Sequence, residues 1–169
     1  MEDTIARIVE RFGLRPHPEG GYFTEVYRSE MTVRHPAVAD GGDPTRRAGT
    51  LIYYLLSGEQ FSAFHRVKWT DEIWHLYAGG PLELHVIDAD GRHVRNTLTG
   101  DVFAGRPTVV VKAGEWQAAR LAPGAGWAFG GCTVAPGFEF EDFEMPPADA
   151  LIAKHPQHAA LFRQLARQG

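Results

Sequence analysis

The chain has one cysteine, Cys132, among 169 residues. No internal disulfide can form, so the fold has to rest on a buried core, and a chain of this length can build one without a structural staple. It also lacks a basic excess: 17 Lys and Arg stand against 21 Asp and Glu, a formal net charge of −4. Binding a phosphate backbone needs a concentrated basic stripe, and the Arg and Lys here are scattered, so no nucleic-acid partner is expected. No apolar run approaches the ~20 residues that span a bilayer. The N-terminal "MEDTIARIVE" is acidic and amphipathic, with neither a basic n-region nor an apolar h-region. A cytoplasmic protein with no membrane partner is the expectation. Repeats, low-complexity tracts and linker-like stretches are absent too, which leaves a single domain over residues 1–169.

What is present is a sequence of short apolar runs. Ile5, Ile8, Val9 and Phe12 recur at helical spacing, with Asp3 as cap and Gly13 as stop. After "RPHPEGG", a turn in which Gly20 and Gly21 supply backbone freedom, "YFTEVYRS" alternates as a strand does. The stretch "HPAVADGGDPTRRAG" is polar and rich in Gly and Pro, and reads as a surface loop. From Thr50 to Val134, about eight strand-like runs are separated by Gly, Pro or Asp turns, the spacing of an all-β sandwich or barrel. Beyond Met145 helical periodicity returns, over Ala148 to Lys154 and then after Pro156 with Ala159, Phe162 and Leu165 on one face. These helices are expected on the outside of a barrel whose core runs over about residues 20–145.

The chemistry concentrates in "HRVKWTDEIWHLYAGG", residues 65–80. Side chains alternate along a strand, which puts Phe61, Ala63, His65 and Val67 on one face and Ser62, Phe64 and Arg66 on the other. On the next strand Glu72 shares a face with Trp74 and Leu76, while His75 takes the opposite one. The four polar groups therefore reduce to an inward pair, His65 and Glu72.

The spacing of His65, Val67, Glu72 and Gly79 resembles the first cupin motif, in which a His-x-His pair precedes a Glu and, six residues on, a Gly. "KAGEWQ" resembles the second, with Gly114 in place, Lys112 where Pro is usual and Gln117 where His is usual. The segments "HPEGGYF", "LIYYLL", "FSAFHRV", "DEIWHLYAG", "PLELHVI", "GEWQAAR" and "GCTVAPGFEFEDFE" together resemble the cupin_5 family, over roughly residues 10–150. The resemblance implies a double-stranded β-helix, or jelly roll, with flanking helices, a homodimer, and no established reaction. Cupins commonly hold a divalent metal on three His and one Glu. His65 and Glu72 match two of those ligands, and Val67 and Gln117 replace the others.

One imidazole, one carboxylate and one amide oxygen make a poor transition-metal set. No cofactor is therefore expected beyond a weak divalent ion on His65, Glu72 and Gln117. Without a metal, His65 and Glu72 form an acid/base pair whose protonation burial and charge can tune. They would enolise a carbonyl compound or epimerise a sugar-like metabolite, with Gln117 as a ligand anchor. The same residues could instead only bind a small molecule, serve a metal-dependent oxygenase or lyase, or form a satisfied buried pair. Tyr22, Tyr53, Trp74, Trp127 and Phe129 are candidate pocket walls, or plain core. Arg46 and Arg47, on the polar loop, are placed to close over an anion, or are solvated surface charge. Cys132 reads as a small core residue.

Overall fold

The structure, a computed structural model, describes residues 2–35 and 44–169. Helix α1 (Glu2–Phe12) ends at Gly13, whose φ of 61° stops it where the apolar stripe ends. Among the described residues thirteen strands follow: β1 (Arg15–Pro16), β2 (Tyr22–Arg28), β3 (Thr32–Arg34), β4 (Thr45–Arg47), β5 (Thr50–Ser57), β6 (Phe61–Val67), β7 (Asp71–Gly79), β8 (Leu82–Ile87), β9 (His93–Leu98), β10 (Thr108–Val111), β11 (Trp116–Leu121), β12 (Trp127–Ala135) and β13 (Phe143–Glu144). Helices α2 (Ala148–Lys154) and α3 (Ala159–Leu165) close the described chain.

The strands form two antiparallel sheets that face each other, in the orders β1-β2-β5-β12-β7-β10 and β13-β6-β11-β8-β9, with β3 and β4 as a separate hairpin. Their facing surfaces bury Tyr54, Leu56, Trp74, Leu84, Val86 and Val111. Each sheet also carries an apolar outer patch, and a helix covers it. α1 lays Ile5, Ile8, Val9 and Phe12 over Tyr53, Trp127 and Phe129 on the larger sheet. α2 and α3 lay Leu151, Phe162 and Leu165 over Phe64, Trp116 and Ala118 on the smaller one, as the C-terminal periodicity predicts.

The expected alternation in β6 breaks once. His65 pairs with Gln117 of β11, but Ser62 pairs with Ala119, so three steps on β6 match two on β11. This bulge reverses parity upstream of His65. Phe61, expected inward, packs outside with the C-terminal helices, and Ser62, expected outward, turns toward the Tyr54 hydroxyl.

Candidate functional site

A cavity of about 290 Å³ opens between the sheets at the end where β2, β6, β7 and β12 converge. Phe23, Ile52, Val67 and Val134 wall it, and Phe138, Phe140 and Phe143 stand around its mouth. His65 and Glu72 lie at its closed end, 2 % and 8 % exposed, together with Cys132, His17 and Glu19.

Two of these polar groups come from the turn between β1 and β2. Glu19 is 5 % exposed, and its Oε2 lies 3.1 Å from His65 Nδ1. The turn is held from several sides. The Glu19 carbonyl accepts from the Ala63 N–H at 2.9 Å, the Gly20 carbonyl accepts from the Tyr54 hydroxyl at 2.6 Å, and the Glu19 N–H donates to His17 Nδ1 at 3.3 Å. Gly20 has φ 122°, and a Cβ there would collide with the Phe61 carbonyl. Only glycine lets this turn press against β6 and aim Glu19 at the imidazole.

His65 is thus flanked by carboxylates. Nδ1 faces Glu19 and the Ala63 carbonyl, the latter at 2.8 Å, and Nε2 lies 3.9 Å from Glu72 Oε2. Burial works against a charged ring, but the Glu19 and Glu72 carboxylates outweigh it and raise the pKa to about 9. At neutral pH His65 is an imidazolium. Glu72 is its counterpart: burial opposes its charge, yet His65, the Cys132 thiol and Gln117 hold its carboxyl below the usual range. His17 is shifted the other way, downward, by burial and by the His65 charge against the pull of Glu19. It stays neutral, and because Nδ1 accepts from the Glu19 N–H its remaining proton sits on Nε2.

Gln117 is 1 % exposed and lies behind Glu72 rather than in the cavity wall. Its Nε2 donates to Glu72 Oε2 at 2.6 Å, and its Oε1 accepts from the Trp74 indole at 2.6 Å. This chain uses both ends of the amide and fixes one Glu72 oxygen. Burial, followed by the charges of Glu72 and Glu19, pushes the Cys132 thiol well up, so it is a weak donor to Glu72 and no nucleophile.

The structure therefore brings together three of the residues singled out from sequence, His65, Glu72 and Gln117, and adds Glu19 and His17. The others lie elsewhere. Trp74 is 2 % exposed and supports Gln117 from the core. Tyr53, Trp127 and Phe129 pack on the far side of the larger sheet under α1, because Tyr54, not Tyr53, is the inward residue of β5. Tyr22 goes with them. Arg46 is not a lid residue: it is 4 % exposed, and its Nε and Nη2 donate to the Asp142 carboxylate at 2.7 and 2.9 Å, tying β4 to the segment behind the mouth. Arg47 is exposed and donates to the Glu30 carbonyl at 3.1 Å. Residues 36–43 of the polar loop lie outside the described residues. His75 points away from Glu72, as parity predicts, and meets the Thr133 hydroxyl at 3.0 Å.

A cupin family model, Cupin superfamily (DUF985), matches residues 6–146. The chain belongs to the Cupin_5 family. An uncharacterized protein of Saccharomyces cerevisiae, YML079W, is 31 % identical over 149 residues, covering 82 % of this chain and 73 % of the yeast protein. Among solved structures, a hypothetical protein from Leishmania major superposes with TM-score 0.84 at 34 % identity, covering 95 % of this chain and 97 % of that one. Protein SO0799 from Shewanella oneidensis gives 0.83 at 34 %, covering 96 % of each chain. Oxalate decarboxylase from Bacillus subtilis, at 14–15 % identity and TM-score 0.53, shares the fold alone.

The cupin fold commonly carries a divalent metal, and the residues of this Cupin_5 protein do not fit one. Among the described residues no three His, Cys, Asp or Glu side chains converge as metal ligands. Val67 offers no donor, the Gln117 oxygen is capped by the Trp74 indole, and of the two imidazoles His65 is engaged between the Glu19 and Glu72 carboxylates while His17 Nδ1 accepts from the Glu19 N–H.

Proposed function

We propose that this Cupin_5 protein is an isomerase- or epimerase-like enzyme that enolises a small carbonyl or sugar-like metabolite without a metal. The observation that carries the reading is the buried ring of His65, set between Glu19 and Glu72 at the closed end of a 290 Å³ cavity, where the two carboxylates favour its charged form. A substrate carbonyl oxygen beside Nε2 receives a charge-assisted hydrogen bond, which stabilises the negative charge that develops on enolisation. Glu72, ionised through the neutral range and anchored through one oxygen by Gln117, takes the α-proton. Glu72 then returns the proton to the neighbouring carbon for isomerisation, or water from the cavity mouth protonates the opposite face of the same carbon while Glu72 releases its proton to solvent for epimerisation. No electron is gained or lost, so the cycle needs no redox partner. Glu19 keeps His65 charged.

Solvent exchange tests this reading. A metabolite extract incubated with the protein in D₂O should contain at least one carbonyl compound that gains 1 Da of mass, and the His65→Ala and His65→Gln variants, checked for fold by circular dichroism, should leave it unlabelled. If no compound is labelled above the level seen with these variants, the enolisation reading fails.

The homodimer implied by the resemblance has its own support. Tyr27, Leu51, Thr133, Ile73 and Val110 lie side by side across β2, β5, β12, β7 and β10 on the outer face of the larger sheet. Tyr27 is 55 % and Val110 47 % exposed, an apolar row that a second copy would cover. Light scattering should give twice the chain mass, and Val110→Glu should halve it.

A further inference from the structure

We propose that Arg15, on the rim of the cavity, holds an anionic substituent of the substrate, so that the substrate is a phosphorylated or carboxylated hydroxy-carbonyl compound entering with its neutral end first. The inference rests on the reading above that the cavity takes a small-molecule substrate, and it specifies which kind.

The distribution of charge divides the cavity into two ends. At the closed end one imidazolium lies between the Glu19 and Glu72 carboxylates, which leaves a net charge of one negative in a buried setting. A phosphate or carboxylate is repelled there, whereas hydroxyl and carbonyl groups find both donors and acceptors. Any anionic group must therefore sit at the mouth.

Two arginines line that mouth, and they differ. Arg28 is occupied: Nε and Nη2 donate to Glu25 at 3.0 and 2.8 Å, and Nη1 donates to Glu139 at 2.7 Å. Arg15 pairs with no carboxylate among the described residues. Its guanidinium lies over the ring of Phe23, 5.0 Å from the centroid, and that ring is part of the cavity wall. Stacking holds the face of the guanidinium and leaves its N–H edge free for a two-point contact with an oxyanion. The backbone is placed as well, since Arg15 sits opposite Phe23 in the β1–β2 ladder and Pro16 follows it. Arg15 is thus an exposed cation laid on the cavity wall, with no carboxylate partner among the described residues, at the end of the cavity where an anion is not repelled.

Size narrows the class. A volume of 290 Å³ is about ten times the ~30 Å³ share of one water, which suits a ligand on the order of ten to fifteen non-hydrogen atoms. A pentose bearing one phosphate, or a hexose oxidised to carry one carboxylate, has this size.

The test measures binding by calorimetry at low salt, with pentose and hexose monophosphates and the matching uronic acids, each compared with its neutral parent sugar. At least one anionic probe should bind the wild type about ten-fold tighter than its parent. Arg15→Gln should bring that ratio to near one while leaving the neutral sugar's affinity unchanged. His65→Gln should weaken both members of the pair and keep the ratio. The phosphate and carboxylate arms show which anion is preferred. Equal affinity for charged and neutral probes in the wild type, or a preference that survives Arg15→Gln, overturns the proposal and leaves the enolisation reading standing. If no probe binds, this proposal falls, and the solvent-exchange test alone decides the enolisation reading.

Discussion

Raising the pH should remove stability at one identifiable residue. His65 has its pKa raised from 6.5 to about 9, so its proton is held more tightly in the folded chain than in the unfolded one. Below pH 6.5 the ring is protonated in both states, and the carboxylates of Glu19 and Glu72 contribute their full stabilisation. As the pH rises from 6.5 to 9 the unfolded chain releases the proton first, and beyond 9 the folded chain releases it too, so the contribution is lost across that window. At ~1.4 kcal/mol per pH unit the rise amounts to about 3 kcal/mol. Urea unfolding followed by tryptophan fluorescence, at intervals from pH 6 to pH 10, should show this decline in the wild type. His65→Gln removes the ring whose proton is held, so this decline should be absent from the variant. Nuclear magnetic resonance of the His65 ring gives the titration directly. An imidazole that titrates at or below pH 6.5 refutes the charged-ring reading and with it the acid assigned to catalysis.

Gln117→Leu should destabilise the fold by about 3–5 kcal/mol in the same urea assay, because it leaves the buried Trp74 indole without an acceptor and takes a charge-assisted bond from Glu72; a loss below ~1 kcal/mol would show that the Trp74–Gln117–Glu72 chain is not formed. Gly20→Ala should displace the turn that carries Glu19, since its Cβ meets the Phe61 carbonyl, and so lower the His65 pKa toward 6.5 by magnetic resonance; an unchanged value would mean that the turn does not set the site charge. The His85 ring, 3 % exposed and stacked on His93, is pushed down to about 4 by burial first and then by the His93 and Arg120 charges. Its contribution is present above pH 6.5 and lost as the pH falls toward 4, so His85→Gln should flatten the acid limb of the stability profile. Phe162→Ala should cost about 3–5 kcal/mol by opening the edge-to-face contact with Phe64 that docks α3 on β6, and a loss of that size should appear as earlier proteolysis of the C-terminal helices.

The barrel and its flanking helices were legible because each rests on a local period. The α1 stripe, the short strands between turns, and the Phe162 and Leu165 face all appear where the spacing puts them. His65 and Glu72 were legible for a different reason: motif spacing and strand parity agreed on them. Parity failed at the β6 bulge, since an inserted residue leaves no mark in the sequence and its effect shows only against β11. The aromatic wall was misplaced for a related reason. β5 and β12 are covered on both faces, so Tyr53 and Tyr54 are equally apolar in context, and nothing in "LIYYLL" says which faces the space between the sheets. Glu19 and His17 were passed over because they sit in a turn, where polar residues are ordinary. The signal available was the pair of glycines after Glu19, both with positive φ, which let the backbone come closer to β6 at Gly20 and to β5 at Gly21 than any other residue would allow.

Glu19 also gives the two exchanged cupin ligands a common physical cause. In a metal-holding cupin a buried carboxylate is balanced by a divalent ion, and neutral imidazoles complete the shell. Here the turn brings a second carboxylate to within 3.1 Å of His65, the one imidazole left at the motif positions, and a proton on His65 offsets one of the two negative charges. Once that proton is held, an imidazole at the Val67 position would face a cation instead of a shared metal, and an apolar wall residue serves better. An imidazole at the Gln117 position would likewise have to meet the Trp74 indole and Glu72 together, whereas an amide satisfies the first with its oxygen and the second with its nitrogen. The three differences, Glu19 present, Val67 in place of His and Gln117 in place of His, then act as one change. A site of the kind that holds a metal becomes one that holds a proton, and a held proton facing a small, largely apolar cavity is what the proposed general-acid step requires.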